Sequence, residues 1–119
     1  MQLGPEQLRD PTKAFAVRVV KLYKSLPVSA DAQVLGKQLL RSGTSVAANY
    51  RASCRARSRA EWISKIGLVV EEADQSVFWL EMLADCNVVS AHKLEALTDE
   101  AQQLCAIFTA SRRTAKTTR

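Results

Sequence analysis

The most constraining feature of this sequence is a run of apolar residues spaced alternately four and three positions apart. The run comprises Ile66, Val70, Ala73, Val77, Leu80 and Ala84. This spacing keeps the side chains on one face of an α-helix and is typical of helices that pack lengthwise against one another. Ser58 and Glu61 form a capping-box pattern before the run, and Asn87 suits a helix C-terminus. We therefore predict a helix of about 40 Å from Ser58 to Cys86.

Two segments before this run carry the same helical periodicity. Helix one is expected to begin at Asp10–Pro11, because Asp is a good N-cap and Pro suits the first helical position. It should run to about Ser25, with Pro27 as its stop. Helix two is expected to begin at Ser29 and to end before Arg57, which would fall on its apolar side. The apolar positions of helix two are Leu35, Leu39, Val46 and Tyr50.

The middle of helix two, residues 42–45, is built from Ser, Gly and Thr, which weaken a helix. Such small residues allow close approach of a second helix; alternatively, the chain breaks at Gly43. A break would turn residues 39–51 into a helix-turn-helix whose recognition helix carries Ser45, Asn49 and Arg51. Helix three is longer than small helix-turn-helix domains need, which argues against this alternative. In the unbroken helix, Asn49 is expected to be a buried amide that fixes helix register.

A fourth helix is expected to begin at Ser90, and the basic tail from Arg112 to Arg119 is expected to fray. The seam of this helix comprises Leu94, Leu97, Ala101, Leu104 and Phe108. Four amphipathic helices with short connections predict an all-α, antiparallel up-and-down four-helix bundle. A chain of 119 residues is expected to form one domain over residues 1–119, with flexible ends at about 1–10 and 113–119.

Charge is segregated along the chain, and the segment from Ala32 to Ala60 contains no acidic residue. Its basic residues are Lys37, Arg41, Arg51, Arg55, Arg57 and Arg59. On a continuous helix the first four fall within an arc of about 80° opposite the apolar face. This stripe is either an ordinary solvated face or a polyanion-binding surface. The lack of interleaved acids and the predominance of Arg favour phosphate contacts, so we predict that all six residues bind nucleic acid. Aromatic residues are too sparse for base stacking, and backbone contacts should dominate.

Residues 71–100 are strongly acidic, with eight acidic residues and one basic residue. An acidic face of this kind is either solvated or docks on the basic face of a second copy, which would give a head-to-tail homo-oligomer. We expect no metal site, because di-metal bundles use Glu-x-x-His pairs and no Glu precedes His92 by three positions. Aromatic residues of helix three, Trp62, Phe78 and Trp79, are expected to pack in the core or in a subunit interface.

The sequence contains no recognisable catalytic or cofactor motif. Cys54, Cys86 and Cys105 are odd in number and lack CxxC spacing, so neither a disulfide framework nor a zinc site is expected. His92 has no apparent nucleophile partner, and Gly36–Lys37 lacks the other residues of a phosphate loop. We expect a non-enzymatic protein without a cofactor. Because neither a signal peptide nor a membrane span is apparent, we expect a cytoplasmic location and no membrane partner.

Two adjacent stretches of helix two and its exit resemble the bacterial four helix bundle protein family. They are Gly36–Arg51, GKQLLRSGTSVAANYR, and Cys54–Glu61, CRARSRAE. The family includes proteins encoded in intervening sequences of large-subunit ribosomal RNA genes. The accessory variability determinant of diversity-generating retroelements is a more distant relative. The likeness extends over residues 14–116.

The resemblance implies a four-helix subunit that commonly assembles as a homopentameric ring. In the retroelement relative, a basic surface binds nucleic acid and a reverse transcriptase. By motif position, Ser45 and Asn49 would be signature polar residues of helix two. Residues on or near the basic surface would be Arg41, Arg51, Arg55, Arg57 and Arg59. Ala52 stands where members often have Glu, so any role of that Glu is missing here.

Two functions remain open at this point. The first is non-enzymatic binding of RNA or DNA backbone through the Arg stripe. The second is an assembly or adaptor role, in which the basic face is used for self-association or for a protein partner such as a reverse transcriptase. Exposure of the stripe after assembly distinguishes the two.

Overall fold

The computed structural model describes the backbone of residues 5–117 and the side chains of residues 11–117. It contains four helices: α1 (Pro5–Ser25), α2 (Ala30–Ser53), α3 (Arg59–Asp85) and α4 (Ala91–Thr117). Successive helices pack against one another, α1 makes a smaller contact with α4, and the whole measures 50 × 22 × 19 Å. The predicted all-α, up-and-down four-helix bundle is confirmed. Parts of the expected flexible ends, residues 1–4 and 118–119, lie outside the described residues.

Helix α1 begins earlier than its sequence indicated. It starts at Pro5 and passes through Pro11, so the expected start at Asp10–Pro11 is wrong. Pro11 has no N–H to donate to the carbonyl four residues earlier. The residues that follow it, Thr12 and Phe15, are nonetheless buried in the core, which holds the helix in place. The predicted end at Ser25 is confirmed.

Helix α2 is continuous through Gly43, which rules out the helix-turn-helix alternative. A Cβ atom built on Gly43 would lie 2.8 Å from both Cγ atoms of Val19, and one on Gly36 would lie 2.5 Å from Leu26 Cδ1. Real Cβ atoms do not approach so closely. Gly43 therefore allows α1 to pack against the backbone of α2, as predicted, and Gly36 makes room for Leu26, which follows α1.

The core-facing side of α3 differs by about one position from the predicted seam. The fully buried residues are Ile66, Val69, Ala73, Ser76, Leu80 and Leu83. The expected seam residues Val70, Val77 and Ala84 are only half-buried. The reason is that α3 lies between two helices: Ser76 contacts Ser42 of α2, with hydroxyl oxygens 3.0 Å apart, while Val70 faces Cys105 of α4. Both flanks of the seam are therefore covered.

The predicted helix ends around α3 and the seam of α4 are confirmed. Ser58 Oγ accepts a hydrogen bond from the Glu61 N–H at 3.0 Å. Asn87 follows the C-cap residue in the left-handed conformation, φ 58°, and the Val88 N–H donates to the Leu83 carbonyl at 2.9 Å, which is the Schellman ending. In α4 all five predicted seam residues are buried, and the helix continues to Thr117.

Within residues 5–117, no helix combines the length and the apolar character needed to cross a bilayer.

Candidate nucleic-acid interface

The antiparallel topology brings four basic segments to one end of the bundle. The start of α1 lies beside the end of α2, since Lys13 and Arg51 line a common groove. The end of α4 lies on the start of α3, since Arg112 Nε donates to the Ile63 carbonyl at 3.1 Å. We call this region the basic end. Its basic residues are Lys13, Arg51, Arg55, Arg57, Arg59, Lys65, Arg112, Arg113 and Lys116. Among the side chains that the structure describes there, Glu61 is the sole acid.

A groove between α1 and α2 concentrates three of these cations. It has a volume of about 410 Å³ and is lined by Lys13, Arg51 and Arg55, together with Thr12, Ala47, Ala48 and Cys54. The three cationic side chains are exposed and form no ion pair with any side chain of residues 11–117. The small alanines leave room for a ligand atom to approach the cations. This groove can accept an anion without first breaking a salt bridge to any side chain of residues 11–117.

The other arginines predicted to bind nucleic acid do not extend this unpaired groove. Arg41 Nη1 lies 2.9 Å from Glu72 Oε2, and its Nη2 donates to Gln75 Oε1 at 2.7 Å. Arg57 Nε lies 3.6 Å from a carboxylate oxygen of Glu61, and Arg59 is also engaged within the chain. The expectation of an unpaired stripe is therefore wrong for Arg41, and Arg57 and Arg59 also have partners within the chain. For Arg41 the cause is tertiary, because acidic α3 packs beside α2, whereas Arg57 pairs with a residue only four positions along the chain.

Lys37 is exposed but belongs to a different part of the surface. It precedes Arg51 by 14 residues on the same helix, about 21 Å along the axis. Of the predicted six, the structure therefore keeps Arg51 and Arg55 together, without an acidic partner among the side chains of residues 11–117, and adds Lys13 to them. Lys13 was not predicted, because its proximity to Arg51 depends on how α1 packs.

The C-terminal part of α4 supplies a second cationic groove that sequence reasoning missed. Arg112, Arg113 and Lys116 line it, with Val70 and Thr109. The Arg112 side chain crosses the start of α3 so closely that a Cβ on Gly67 would lie 3.1 Å from its Nε atom. The tail is helical to Thr117 and docked, whereas fraying was expected from Arg112. The predicted antiparallel order of the helices puts the end of α4 at the same end of the bundle as the end of α2. This order could have identified the three residues from the sequence.

The opposite end of the bundle is acidic on its α3–α4 side. Glu81, Asp85, Glu95 and Asp99 line a groove of about 260 Å³ there. No group of His, Cys, Asp or Glu side chains within the described part of the chain has a metal-binding arrangement. At the start of α2, hydrogen bonds from the Ser29 side chain and from the Ala32 N–H lower the pKa of Asp31. Ser29 is the N-cap residue of α2 as predicted, although its side chain makes no capping hydrogen bond.

The remaining residues singled out from the sequence contact other residues of their own chain. Asn49 is half-buried, and its Nδ2 donates to the Ser45 carbonyl at 2.9 Å. Because this bond lies within α2, it does not provide the expected link that fixes the register between helices. Trp62 and Trp79 are half-buried against the core. Phe78 is 50% exposed and meets Trp79 edge-on, with ring centroids 4.8 Å apart.

The family described as 23S rRNA-intervening sequence protein matches residues 8–110. Among solved structures, the chain is similar to a protein of unknown function from the S23 ribosomal protein family of Bacteroides thetaiotaomicron VPI-5482, determined at 1.70 Å resolution. The two are 31% identical, the match covers 92% of this chain and 97% of that chain, and the TM-score is 0.83. A comparison with proteins of curated function finds no match. Because the family match spans most of the chain, this protein belongs to the 23S rRNA-intervening sequence protein family.

Proposed function

We propose that this protein binds the phosphate backbone of RNA or DNA at its basic end, without catalysing a reaction. The observation that carries the proposal is the α1–α2 groove, where Lys13, Arg51 and Arg55 stand together without an acidic partner among the described side chains. Like charges that line one groove repel one another, and an anion bound between them offsets the repulsion. A polyanion relieves that repulsion and releases its own counterions on binding.

The chemistry of the groove favours phosphate over bases. Arg presents a planar fork of donors that matches two phosphate oxygens. No aromatic side chain lines either the α1–α2 groove or the groove at the end of α4, so these grooves offer no surface on which unpaired bases could stack. Contacts of this type position a protein on nucleic acid without reading its sequence. We therefore expect binding that depends steeply on salt and weakly on sequence.

The compartment we propose is the cytoplasm. The three cysteines are free thiols, as expected of a protein in a reducing environment.

The alternative is an assembly or adaptor role, in which an acidic protein surface covers Arg51 and Arg55. The observation in its favour is that Glu72 already neutralises Arg41 from within the same chain. An acidic surface on a second copy, or on a partner such as a reverse transcriptase, would do the same to the groove. This alternative predicts that reversing the groove charges breaks an assembly and that nucleic acid binds only as any polyanion does.

The test is a comparison of two charge-matched double variants. R51E/R55E removes the groove cations, and K37E/K93E reverses two exposed lysines away from the basic end; each lowers the formal net charge from +5 to +1. Binding of labelled duplex RNA, duplex DNA and single-stranded RNA is measured over a range of salt concentrations. For R51E/R55E we expect affinity to fall about tenfold or more and the salt slope to decrease by about two.

The control K37E/K93E should bind nearly as the unmodified protein does. Equal weakening of both variants, or absence of binding by the unmodified protein at about 0.1 M salt, would contradict the proposal. The mass of each sample in solution is measured in parallel. Loss of an assembly in R51E/R55E alone would favour the adaptor alternative.

A further inference from the structure

The two cationic grooves of the basic end differ in size. The α1–α2 groove has a volume of about 410 Å³, which falls within the range of pockets that enclose a small ligand. The groove beside Arg112, Arg113 and Lys116 has a volume of about 190 Å³, which lies below that range. The larger groove can therefore surround a chemical group, whereas the smaller one can only touch a backbone that passes over it.

The cations of the α1–α2 groove stand on both of its walls at nearly the same height along the bundle. Val19 of α1 packs on Gly43 of the antiparallel helix α2. Lys13 precedes Val19 by six residues and is therefore level with Asn49, which follows Gly43 by six. Arg51 lies two residues further along α2, a rise of about 3 Å. The cations thus face one groove together and do not form a line along the bundle.

This arrangement differs from the one that a continuous backbone requires. A strand carries one negative charge on each phosphate, and a surface that follows the strand spreads its cations along it. A terminal phosphate is a monoester, which carries a charge of about −1.5 to −2 near neutral pH on three acceptor oxygens. The guanidinium forks of Arg51 and Arg55, with the Lys13 ammonium group, match this dense charge better than they match one diester.

The walls between the cations are small. Ala47 and Ala48 line the groove. Thr12 also lines it although only 1% of this residue is exposed, so Thr12 lies at the base of the groove. These walls leave room for the sugar that bears a phosphate, and no aromatic side chain lines the groove to stack on a base. Recognition here should therefore depend on the phosphate and not on the identity of the base.

We infer that the α1–α2 groove binds the terminal phosphate of a nucleic-acid strand, a phosphomonoester at its 5′ or 3′ end. The inference rests on the proposed function and adds to it which part of the nucleic acid enters the groove. The smaller groove, with Arg113 and Lys116, contacts the backbone that follows. The protein then prefers ends that carry a phosphate to the interior of a duplex.

The test compares short duplex RNAs that are identical except for their ends, which carry 5′ phosphates, 3′ phosphates or hydroxyls only. A hydroxyl-ended duplex one base pair longer controls for the added charge. We expect the unmodified protein to bind at least one phosphate-ended duplex about fivefold more tightly than this longer control. The preference should be lost in R51E/R55E and in the milder R51Q/R55Q. It should be retained in K37E/K93E and in R113E/K116E, which weaken or preserve binding to all the duplexes equally.

Circular dichroism checks that each variant keeps its helix content. Equal affinity for the phosphate-ended duplexes and the longer control would overturn the inference, and so would a preference that persists in folded R51E/R55E and R51Q/R55Q. Either result leaves the proposed function standing as long as R51E/R55E binds every duplex more weakly. Displacement of the phosphate-ended duplex by an equal concentration of a nucleoside 5′-monophosphate would assign the groove to a free nucleotide and overturn the inference. Absence of binding to any of these RNAs would contradict the proposed function itself.

Discussion

Two grooves at opposite ends of this bundle carry opposite charge, whereas ion pairs neutralise the middle of the bundle. There, Arg18 pairs with Glu100 and Arg41 with Glu72, so neighbouring helices neutralise each other. At the basic end, Arg51 and Arg55 meet Lys13; at the other end, Glu81 and Asp85 meet Glu95 and Asp99. The charge on the neighbouring helix, rather than a stripe on one helix, therefore decides which arginines remain available to a ligand.

The largest expected effect comes from displacing α1, because the groove exists only where α1 lies close to α2. Gly43→Ala gains roughly 1 kcal/mol of helix propensity, but its Cβ would lie 2.8 Å from the buried Val19 side chain. We expect a net loss of about 1–3 kcal/mol in the free energy of unfolding, measured by urea denaturation.

Gly67→Ala is the matched control for this prediction. It gains the same propensity, and the atoms it meets belong to the Arg112 side chain, which can move. We expect its stability to be unchanged or higher. Stabilisation by both substitutions would show that α1 can shift on α2 without cost.

A second prediction tests whether the basic end extends to α4. R113E/K116E reverses two exposed cations of the second groove. We expect duplex RNA affinity to fall about tenfold, with a salt slope smaller by about two, relative to K37E/K93E. An affinity equal to that of the control would restrict the interface to the α1–α2 groove.

A third prediction compares a paired with an unpaired arginine on the same helix. Arg51→Gln should weaken nucleic-acid binding about three- to tenfold through loss of one phosphate contact. Arg41→Gln should leave binding nearly unchanged, because its guanidinium already pairs with Glu72. Equal effects of the two substitutions would mean that nucleic acid displaces Glu72 and that the whole stripe binds.

The smallest effect concerns thiol reactivity. Burial raises the pKa of the Cys105 thiol, which lowers its thiolate fraction at neutral pH, whereas Cys86 is exposed. Because the thiolate is the reactive form, Cys86 should be alkylated faster, and the rate for Cys105 should rise at higher pH. Mass spectrometry of peptides after timed alkylation gives both rates. Faster modification of Cys105 would contradict its position between α3 and α4.

Local sequence patterns predicted the features that depend on a single helix. They failed where packing against a neighbouring helix determines which residues are buried. The α4 seam was predictable because the buried residues of this helix, from Leu94 to Phe108, all lie on one face. The buried residues of α3 differ from the predicted seam for two reasons. The helical period of the apolar residues does not show that α2 and α4 cover both flanks of α3, and Ser76, a polar residue, occupies a core position. The early start of α1 was missed because a proline such as Pro11 is typical of the first position of a helix.

The candidate site was only half predictable for the same reason. Arg51 and Arg55 were identified because no acid interrupts their segment. The pairing of Arg41 with Glu72 joins residues 31 positions apart, and the arrival of Lys13 at the groove requires the packing of α1 on Gly43. Helical periodicity carries no information about either contact.

The most direct measurement of the central claim uses two cysteines of the same molecule. Cys54 lines the α1–α2 groove, and Cys86 lies beyond the end of α3 at the opposite end of the bundle. The alkylation rate of each is measured with and without saturating duplex RNA at low salt. Binding at the basic end predicts that RNA slows Cys54 several-fold and leaves Cys86 unchanged. Unchanged Cys54, or equal slowing of both cysteines, would contradict it.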